Sequence, residues 1–277
     1  MSELRRQKAN AFRELHHTGK VLVLPNVWDV ASARVIEDAG FQAIATSSAA
    51  VAFSLGYPDG QKISREEMLA RVARIARSVK VPVSADVEAG YGDRPEDVAE
   101  TARGVIEAGA VGMNLEDGTD DPQHPLVDLT LQLEKIHAIR EAALDSSVLL
   151  VLNARTDVYL AQAGAPELRY GETVRRLLAY RDAGADCAFA PGLRDIETIS
   201  QLVHDLQCPV NILAGPGAPA VPELQKIGVA RVSLGSGPMR ATLGLLRRVA
   251  EDLKTSGTYP TLQDALAYAD ANRLFAK

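Results

Sequence analysis

The sequence predicts a (β/α)8 barrel, and three observations support that fold class. Eight short apolar runs rich in β-branched residues alternate with longer amphipathic segments, as parallel strands alternate with helices in α/β proteins. No linker or low-complexity segment interrupts the 277 residues. The first run, VLVLPNVWD, lacks the glycine-rich turn that usually follows the first strand of a dinucleotide-binding open sheet. We therefore expect residues 1–277 to form a single-domain TIM barrel with extra terminal helices, the C-terminal extension starting at about residue 245.

The order of the elements follows from the same alternation. The segments between the runs, such as DVASARVIEDAG and RPEDVAETARGVIEAGA, have the apolar spacing of amphipathic helices. Several begin at Ser, Asp or Pro and several end at Gly, the residues preferred at helix N- and C-termini. The predicted strands begin, in order, at Val21, Ala43, Val81, Val111, Leu149, Cys187, Cys208 and Ala230.

Composition excludes several classes of function. A net charge of -6 and a pI near 5.5, without a clustered basic face, argue against nucleic-acid binding. The sequence has no apolar run long enough to cross a bilayer and no apolar signal segment, so we expect a cytoplasmic protein without membrane contact. Cys187 and Cys208 lack metal-site spacing and are too few for a disulfide framework, so both are interpreted as core thiols.

Acidic residues follow two neighbouring strands of the predicted barrel. Asp86 and Glu88 end the run VPVSADVE, and Glu116 ends VGMNLED. Because barrel enzymes carry their chemistry at the carboxyl ends of the strands, these acids should share one mouth. Oxygen ligands suit a hard cation, so the sequence predicts a magnesium site, with manganese also possible. The alternative is that the three acids are helix caps or surface loop residues.

Three further strand ends carry groups suited to an anionic ligand. Arg155 ends LNARTD and brings a planar fork that matches a carboxylate, although a structural salt bridge to Asp157 is an alternative. The segment TSSAA presents small residues whose backbone N–H groups could approach an anion closely. Asn211, in CPVNILAGP, could reach the distal carboxylate or a hydroxyl group of a substrate.

An ordered set of motifs resembles a known family. The motifs are PNVWDVASARVIEDAG, ATSSAAVAFSLGYPD, SADVEAGYGD, AGAVGMNLEDG, NARTD and PVNILAGP. Together they resemble the isocitrate lyase and phosphoenolpyruvate mutase superfamily, in its short-chain branch. The resemblance implies a (β/α)8 barrel, often a tetramer that exchanges a C-terminal helix, which binds an α-keto or α-hydroxy acid through magnesium. Members make or break a carbon–carbon or carbon–phosphorus bond next to a pyruvate-like enolate.

The resemblance also implies roles for individual residues. Arg155 falls on the substrate-binding arginine, and Asp59 matches an acid near the water shell of the metal. Glu88 falls where the family more often has Asp, and its longer side chain could change how the cation is held. The substrate carboxylate would be held by the backbone amides of Ser47, Ser48 and Ala49. The metal would be held by the three acids Asp86, Glu88 and Glu116.

The loop after the fourth strand departs from the family. Family lyases have a lysine-rich loop with a catalytic Cys there and mutases have Lys and Asn, whereas this chain has EDGTDDPQHPLVD. His124 is the one side chain in that segment that titrates near neutrality, so it is a candidate acid or base. The alternative is an ordinary solvated loop histidine.

These observations predict a magnesium-dependent lyase or decarboxylase acting on a small α-keto or α-hydroxy di-acid. A carbon–phosphorus bond enzyme of the phosphoenolpyruvate mutase or phosphonopyruvate hydrolase type remains an alternative, as does a barrel that binds a keto acid with little turnover. The C-terminal segment PTLQDALAYADANRLFAK has apolar helical positions beyond the last strand. We therefore expect a homo-oligomer, a tetramer or a dimer.

Overall fold

A parallel β-sheet forms the centre of the protein in the computed structural model, which describes residues 3–119 and 121–276. Its strands within that part of the chain follow the order β1-β9-β8-β7-β6-β5-β4-β3-β2, and neighbours pair in parallel. The strands are β1 (Leu22–Leu24), β2 (Asn26–Val27), β3 (Ile44–Thr46), β4 (Val83–Asp86), β5 (Gly112–Glu116), β6 (Val151–Arg155), β7 (Cys187–Phe189), β8 (Val210–Leu213) and β9 (Arg231–Ser233).

The first predicted strand closes the sheet into a barrel. Pro25 interrupts this run, because proline has no N–H to donate to a neighbouring strand. The residues before it form β1, which pairs with β9, and those after it form β2, which pairs with β3. The Pro25 carbonyl still accepts a hydrogen bond from the Ala45 N–H at 3.0 Å. The two short strands therefore act as one barrel strand, and the predicted (β/α)8 barrel is confirmed.

Helices surround the barrel and begin and end at residues that the sequence marks. Asp29 caps one helix by accepting from the Ser32 N–H at 2.7 Å, and Gly109 ends another with a φ of 96°. The helices are α1 (Glu3–Leu15), α2 (Val30–Asp38), α3 (Ser48–Leu55), α4 (Arg65–Ser78), α5 (Pro95–Ala108), α6 (Leu129–Asp145), α7 (Arg169–Asp182), α8 (Ile196–Leu206), α9 (Val221–Lys226), α10 (Gly237–Thr255) and α11 (Tyr268–Phe275).

The amino-terminal end of the barrel is closed by α1. Phe12 is fully buried, and its ring would lie 2.6 Å from a Cβ placed on Gly112 at the start of β5. His16 follows α1, stacks edge-on against Phe12 and is also buried. Because this end is filled, access to the barrel interior comes from the carboxyl ends of the strands.

Two smaller points of the sequence interpretation can be compared with the fold. Cys187 is buried in β7, where burial raises the pKa of its thiol to about 12, and Cys208 is partly buried. Neither cysteine forms a disulfide. Within the described part of the chain, no helix combines the length and the apolar character needed to cross a membrane.

Candidate active site

Two adjoining cavities occupy the carboxyl end of the barrel. The central cavity, of about 220 Å³, lies over the strand ends, and Asp86, Arg155 and Asn211 line it. The rim cavity, of about 480 Å³, is lined by Glu88 and Glu116 among others. Asp59, in the loop after α3, lines both cavities. The structure therefore places most of the predicted site residues around one mouth, but divides them between two spaces.

Asp86 is held in place by donors from two neighbouring elements. Its Oδ2 accepts from the backbone N–H and the hydroxyl of Ser48, at 2.9 and 2.8 Å, and its Oδ1 accepts from Asn114 Nδ2 at 2.9 Å. The Asp86 N–H donates to Thr46 Oγ1 at 2.9 Å. Ser48 is the first residue of α3, so the carboxylate lies at a helix N-terminus, where negative charge is stabilised.

The small-residue segment after β3 is largely occupied by bonds within the protein. The Ser47 N–H donates to the Val27 carbonyl, and the Ser47 hydroxyl caps α3 by accepting from the Ala50 N–H at 3.3 Å. The Ser48 N–H is used by Asp86. Ala49 is the second residue of α3, a position whose N–H has no acceptor within the helix. Of the three predicted amide donors, that of Ala49 is the one placed to meet a ligand.

Glu88 lies in a backbone conformation that is unusual for a residue with a side chain. Its φ is 53°, and its carboxylate accepts from the Gln61 N–H and, at 3.2 Å, from the Tyr91 hydroxyl. Burial raises the pKa of Glu88 to about 7, and the nearby negative charges of Asp86 and Asp59 add to that rise. Negative charge is therefore concentrated where the two cavities meet.

Arg155 joins two acids at the end of β6. Its Nη1 lies 2.6 Å from Glu116 Oε2, while its Nε and Nη2 donate to the two carboxylate oxygens of Asp157 at 2.5 and 2.8 Å. Its guanidinium also lies over the Phe189 ring, 5.9 Å from the centroid. Burial raises the pKa of Glu116, and the charge of Arg155 opposes that rise. The salt bridge to Asp157 is thus present, and Arg155 lines the central cavity as well.

The acids do not form a closed metal cage. Among residues 3–119 and 121–276, no group of three or more His, Cys, Asp or Glu side chains is arranged to hold a metal ion. Magnesium usually keeps several waters and takes one or two protein carboxylates, so a cage is not required. The donor set fits that mode: Asp86 offers oxygens to the central cavity, and the concentrated negative charge around Glu88 would be relieved by a cation.

A row of amides continues from Asp86 across the barrel. Asn114 on β5 is its register neighbour, and Asn153 on β6 is in turn the register neighbour of Asn114. Asn153 Nδ2 donates to Asn114 Oδ1 at 2.8 Å. On the far side, Asn211 Nδ2 donates to Ser233 Oγ at 3.1 Å. Buried oxygens at both ends of this polar interior, Asn153 Oδ1 and Asn211 Oδ1, have no hydrogen-bond partner within the described residues. Asn211 is buried and also lines the central cavity.

His124 lies apart from these groups. Its side chain is 81% exposed and pairs with Asp121 Oδ2 at 2.9 Å. It is not among the residues that line either the central or the rim cavity. In this conformation the loop histidine has the surroundings of a solvated side chain.

Two buried features were missed by sequence reasoning. Asp117 accepts from Thr156 Oγ1, the Asp157 N–H, Arg176 Nη1 and Tyr180 OH, at 2.5 to 3.1 Å, and so positions the segment that follows Arg155. Arg176 and Tyr180 come from α7 and the other two partners directly follow β6, and the sequence carries no local signal for contacts between such distant segments. Arg231, at the start of β9, lines the central cavity. The sequence did contain a signal for Arg231: it and Ser233 are separated by the apolar Val232, which puts the two polar side chains on the same face of the strand.

A family model and two curated relatives match nearly the whole chain. The model described as phosphoenolpyruvate phosphomutase matches residues 12–254. An uncharacterized protein of Mycobacterium tuberculosis is 37% identical over 262 residues, which are 92% of this chain and 96% of the relative. Oxaloacetate decarboxylase 2 of Pseudomonas fluorescens is 28% identical over 265 residues, 91% of this chain and 88% of that protein.

Three crystal structures share the fold over most of their length. A Burkholderia cenocepacia protein described as a lyase/mutase has a TM-score of 0.94 at 40% identity, covering 100% of this chain and 98% of that one. A 2,3-dimethylmalate lyase has a TM-score of 0.84 at 27% identity, with coverages of 100% and 95%. A phosphonopyruvate hydrolase in complex with oxalate and magnesium has a TM-score of 0.84 at 25% identity, with coverages of 97% and 94%.

Proposed function

Because the chain belongs to the phosphoenolpyruvate mutase/isocitrate lyase superfamily, we propose that it is a magnesium-dependent lyase or decarboxylase that cleaves a carbon–carbon bond in a small α-keto or α-hydroxy di-acid. The main observation behind this proposal is that Asp86 and Arg155 line the same cavity, of about 220 Å³. That space is smaller than the pockets that hold drug-sized ligands, so it suits a small acid.

The chain's own groups would bind and orient such a substrate. Asp86 would hold magnesium, with Glu88 and Glu116 acting through water, and the cation would supply Lewis-acid stabilisation of negative charge on the substrate oxygens. Arg155 keeps its positive charge next to the same space, and the Ala49 N–H points from the start of a helix. Preorganised donors of this kind stabilise the negative charge that develops when the bond beside a keto group breaks.

Rigidity of this arrangement follows from its hydrogen bonds. Asp86 has three donors from neighbouring elements, and Arg155 is held by Glu116 and Asp157. Because these groups are already oriented, little reorganisation is needed when the substrate charge changes. Asp59 lies between the two cavities, close enough for its charge to affect the pKa of Glu88.

Carbon–phosphorus cleavage is the second candidate. The family model and the phosphonopyruvate hydrolase structure favour it, whereas the loop from Glu116 to Asp128 contains neither the Lys nor the Asn expected of a mutase. The match to an oxaloacetate decarboxylase and a dimethylmalate lyase favours carbon–carbon chemistry. A keto-acid-binding barrel with little turnover is the outcome if binding occurs without product.

The test is product release from a panel of acids. Oxaloacetate, 2,3-dimethylmalate and phosphonopyruvate would each be supplied with and without magnesium, and pyruvate, the cleaved acid fragment, CO2 and phosphate measured. We expect carbon–carbon products that require magnesium, and a loss of about 1000-fold in kcat/KM for Asp86→Asn, equivalent to several kcal/mol of transition-state stabilisation. Asp145→Asn, on an exposed end of α6, is the matched control and should retain full activity. Phosphate release alone, or conversion of phosphonopyruvate to phosphoenolpyruvate, would establish the second candidate instead.

We propose that the protein is a homo-oligomer, either a tetramer or a dimer. Several large apolar side chains of the C-terminal helices are exposed in the single chain, which is the property of a surface that packs against a partner. They are Leu243, Leu245, Leu246 and Leu253 of α10 and Tyr268 and Phe275 of α11. Light scattering at micromolar concentration measures the mass, and a monomer would contradict the proposal. A cytoplasmic location remains a prediction.

A further inference from the structure

The barrel interior contains a buried arginine without an identified partner. Arg231 is 2% exposed, and its Nε and Nη1 have no hydrogen-bond partner within residues 3–119 and 121–276. A buried cation without a compensating charge or hydrogen bond is costly, which makes such a group exceptional in a folded protein. Arg231 lines the same central cavity as Asp86 and Arg155. Arg231 therefore combines two unpaired, buried donor atoms with a position beside space that a ligand can enter.

The charged and titratable groups nearest to Arg231 do not neutralise it. Cys187 keeps its proton because burial raises the pKa of the thiol to about 12. His16 carries no negative charge, and burial together with the positive charge of Arg231 lowers its pKa to about 4. Asp86 attracts Arg231 through space, but the Nε and Nη1 atoms of Arg231 make no hydrogen bond to it. Within the described residues no anion is hydrogen-bonded to Arg231 Nε or Nη1, so a ligand anion could supply that contact.

The polar groups around Arg231 match a carboxylate. Asn211 is its register neighbour on β8, and Ser233 lies on the same face of β9 two residues later. Ser84 on β4 also lines the cavity with a buried hydroxyl that has no partner in the described part of the chain. Asn211 Nδ2 already donates to Ser233, so the donors left for a carboxylate are those of the Arg231 guanidinium and the Ser84 hydroxyl group. A guanidinium gives a carboxylate charge-assisted hydrogen bonds, which are stronger than those between neutral groups.

We infer that Arg231, with Asn211 and Ser84, forms a subsite for the distal carboxylate of a dicarboxylate substrate, deep in the barrel below the Asp86 and Arg155 end. The inference rests on the proposed function, because the other end of the substrate would be the α-keto or α-hydroxy carboxylate at the mouth. It adds that the second charge of the di-acid enters the barrel interior. Such a site rejects acids that lack the distal carboxylate, because binding one would leave Arg231 unpaired.

Calorimetry with malate and lactate distinguishes binding of the distal carboxylate from binding of the α-hydroxy acid end. Both are stable α-hydroxy acids, and only malate has a distal carboxylate. In the presence of magnesium, we expect wild-type protein to bind malate at least tenfold more tightly than lactate. Arg231→Met, which keeps bulk and removes the charge, should weaken malate binding about 100-fold and change lactate binding less than threefold. The selectivity ratio is a readout that general damage to the site would not move in this way.

Each outcome distinguishes this inference from the function on which it rests. If the wild-type protein binds neither acid nor pyruvate with magnesium, the proposed function is wrong. If both acids bind and Arg231→Met weakens the binding of malate and lactate equally, the proposed function is supported and the distal subsite is wrong. Arg231→Gln, which retains a donor, should give an intermediate loss for malate.

Thermal unfolding without ligand supplies an independent check. Removing an unpaired buried charge should leave the Tm of Arg231→Met equal to or above that of the wild type. Arg176→Met is the matched comparison, because Arg176 is also buried but bonds to Asp117 and Glu172, at 3.1 and 2.7 Å, and its loss should lower the Tm. A fall in Tm as large for Arg231→Met as for Arg176→Met would mean that Arg231 has a structural partner, and would overturn the inference.

Discussion

The charged side chains on the two sides of the central cavity differ in how far their hydrogen-bonding groups are satisfied. On the side of β4, β5 and β6, Asp86 and Arg155 each have three contacts with donors or acids of the chain, at 2.5 to 2.9 Å. On the side of β8 and β9, Asn211 Oδ1 and the Nε and Nη1 atoms of Arg231 have none within the described residues. Both sides border one central cavity.

This difference indicates two ways of making a binding site. The satisfied side is preorganised, so that it presents a fixed charge pattern to whatever binds and needs little rearrangement. The unsatisfied side lowers the stability of the empty protein and recovers that free energy when a ligand of the right charge enters. A substrate that contacts both sides would be oriented by the fixed groups around Asp86 and Arg155 at one end. At its other end it would be selected for the negative charge that pairs with Arg231.

Arg155→Lys should have the largest effect of the three changes considered next, because it breaks the satisfied side. Lysine keeps the charge but cannot contact Glu116 and both oxygens of Asp157 through a planar fork. We expect a loss of about 100-fold in affinity for malate and lactate alike, measured by calorimetry at matched ionic strength because charge interactions weaken with salt. Equal binding by Arg155→Lys and wild type would show that Arg155 only supports the fold, and a loss confined to malate would place its contact at the distal end.

The unfolding free energy should fall at acid pH because of His16, whose pKa is lowered in part by the charge of Arg231. Burial first, and then the charge of Arg231 and of His17, lower the pKa of His16 from 6.5 to about 4, although the Phe12 carbonyl and Asp186 act in the opposite direction. Between these values the unfolded chain binds a proton that the folded protein excludes. The stabilising effect is complete above pH 6.5 and is lost as the pH falls towards 4, by at most about 3 kcal/mol.

Urea unfolding at pH 7 and pH 4.5 measures that loss. His16→Asn removes the titrating group and should show a smaller fall in unfolding free energy between the two pH values than the wild type. Arg231→Met should also reduce the fall, because it removes a positive charge that disfavours the protonated ring. Identical pH dependence in all three proteins would remove His16 and Arg231 as its cause.

His124→Ala should have the smallest effect. The side chain is 81% exposed, pairs with Asp121 and lines neither cavity, so we expect kcat/KM to change less than threefold. Asp121→Asn is the paired control, because it removes the partner of the histidine without altering the ring. A fall of 100-fold or more for His124→Ala alone would mean that the loop after β5 brings this histidine to the substrate during turnover.

The sequence indicated most of the fold because the responsible signals are local. Alternating apolar runs and helix caps such as Asp29 and Gly109 appear in the sequence at the places where strands and helices begin or end. The sequence shows a proline at position 25, but it does not show how that proline divides the pairing of the strand. The residues before Pro25 pair with β9 and those after it pair with β3. Pairing between distant segments leaves no local pattern.

The candidate site was indicated less completely. Asp86, Arg155 and Asn211 were selected because they lie at or near predicted strand ends, and Asp59 was selected from the family resemblance. All four line the central cavity. The hydrogen bonds that use the Ser47 and Ser48 amides could not be read from TSSAA, because their acceptors are Val27 and Asp86 on neighbouring strands. The roles of the predicted residues remain predictions until the variants are measured.

By itself the sequence determined where polar groups occur along each strand, because side-chain alternation depends only on the local backbone period. Only the tertiary structure decided which of those groups are paired. Arg155 meets Glu116 because β5 and β6 are register neighbours, and Arg231 has no such acid because its register neighbours are Leu22 and Asn211. A charge is satisfied or left open by residues distant in the chain, and their proximity arises only when the barrel closes.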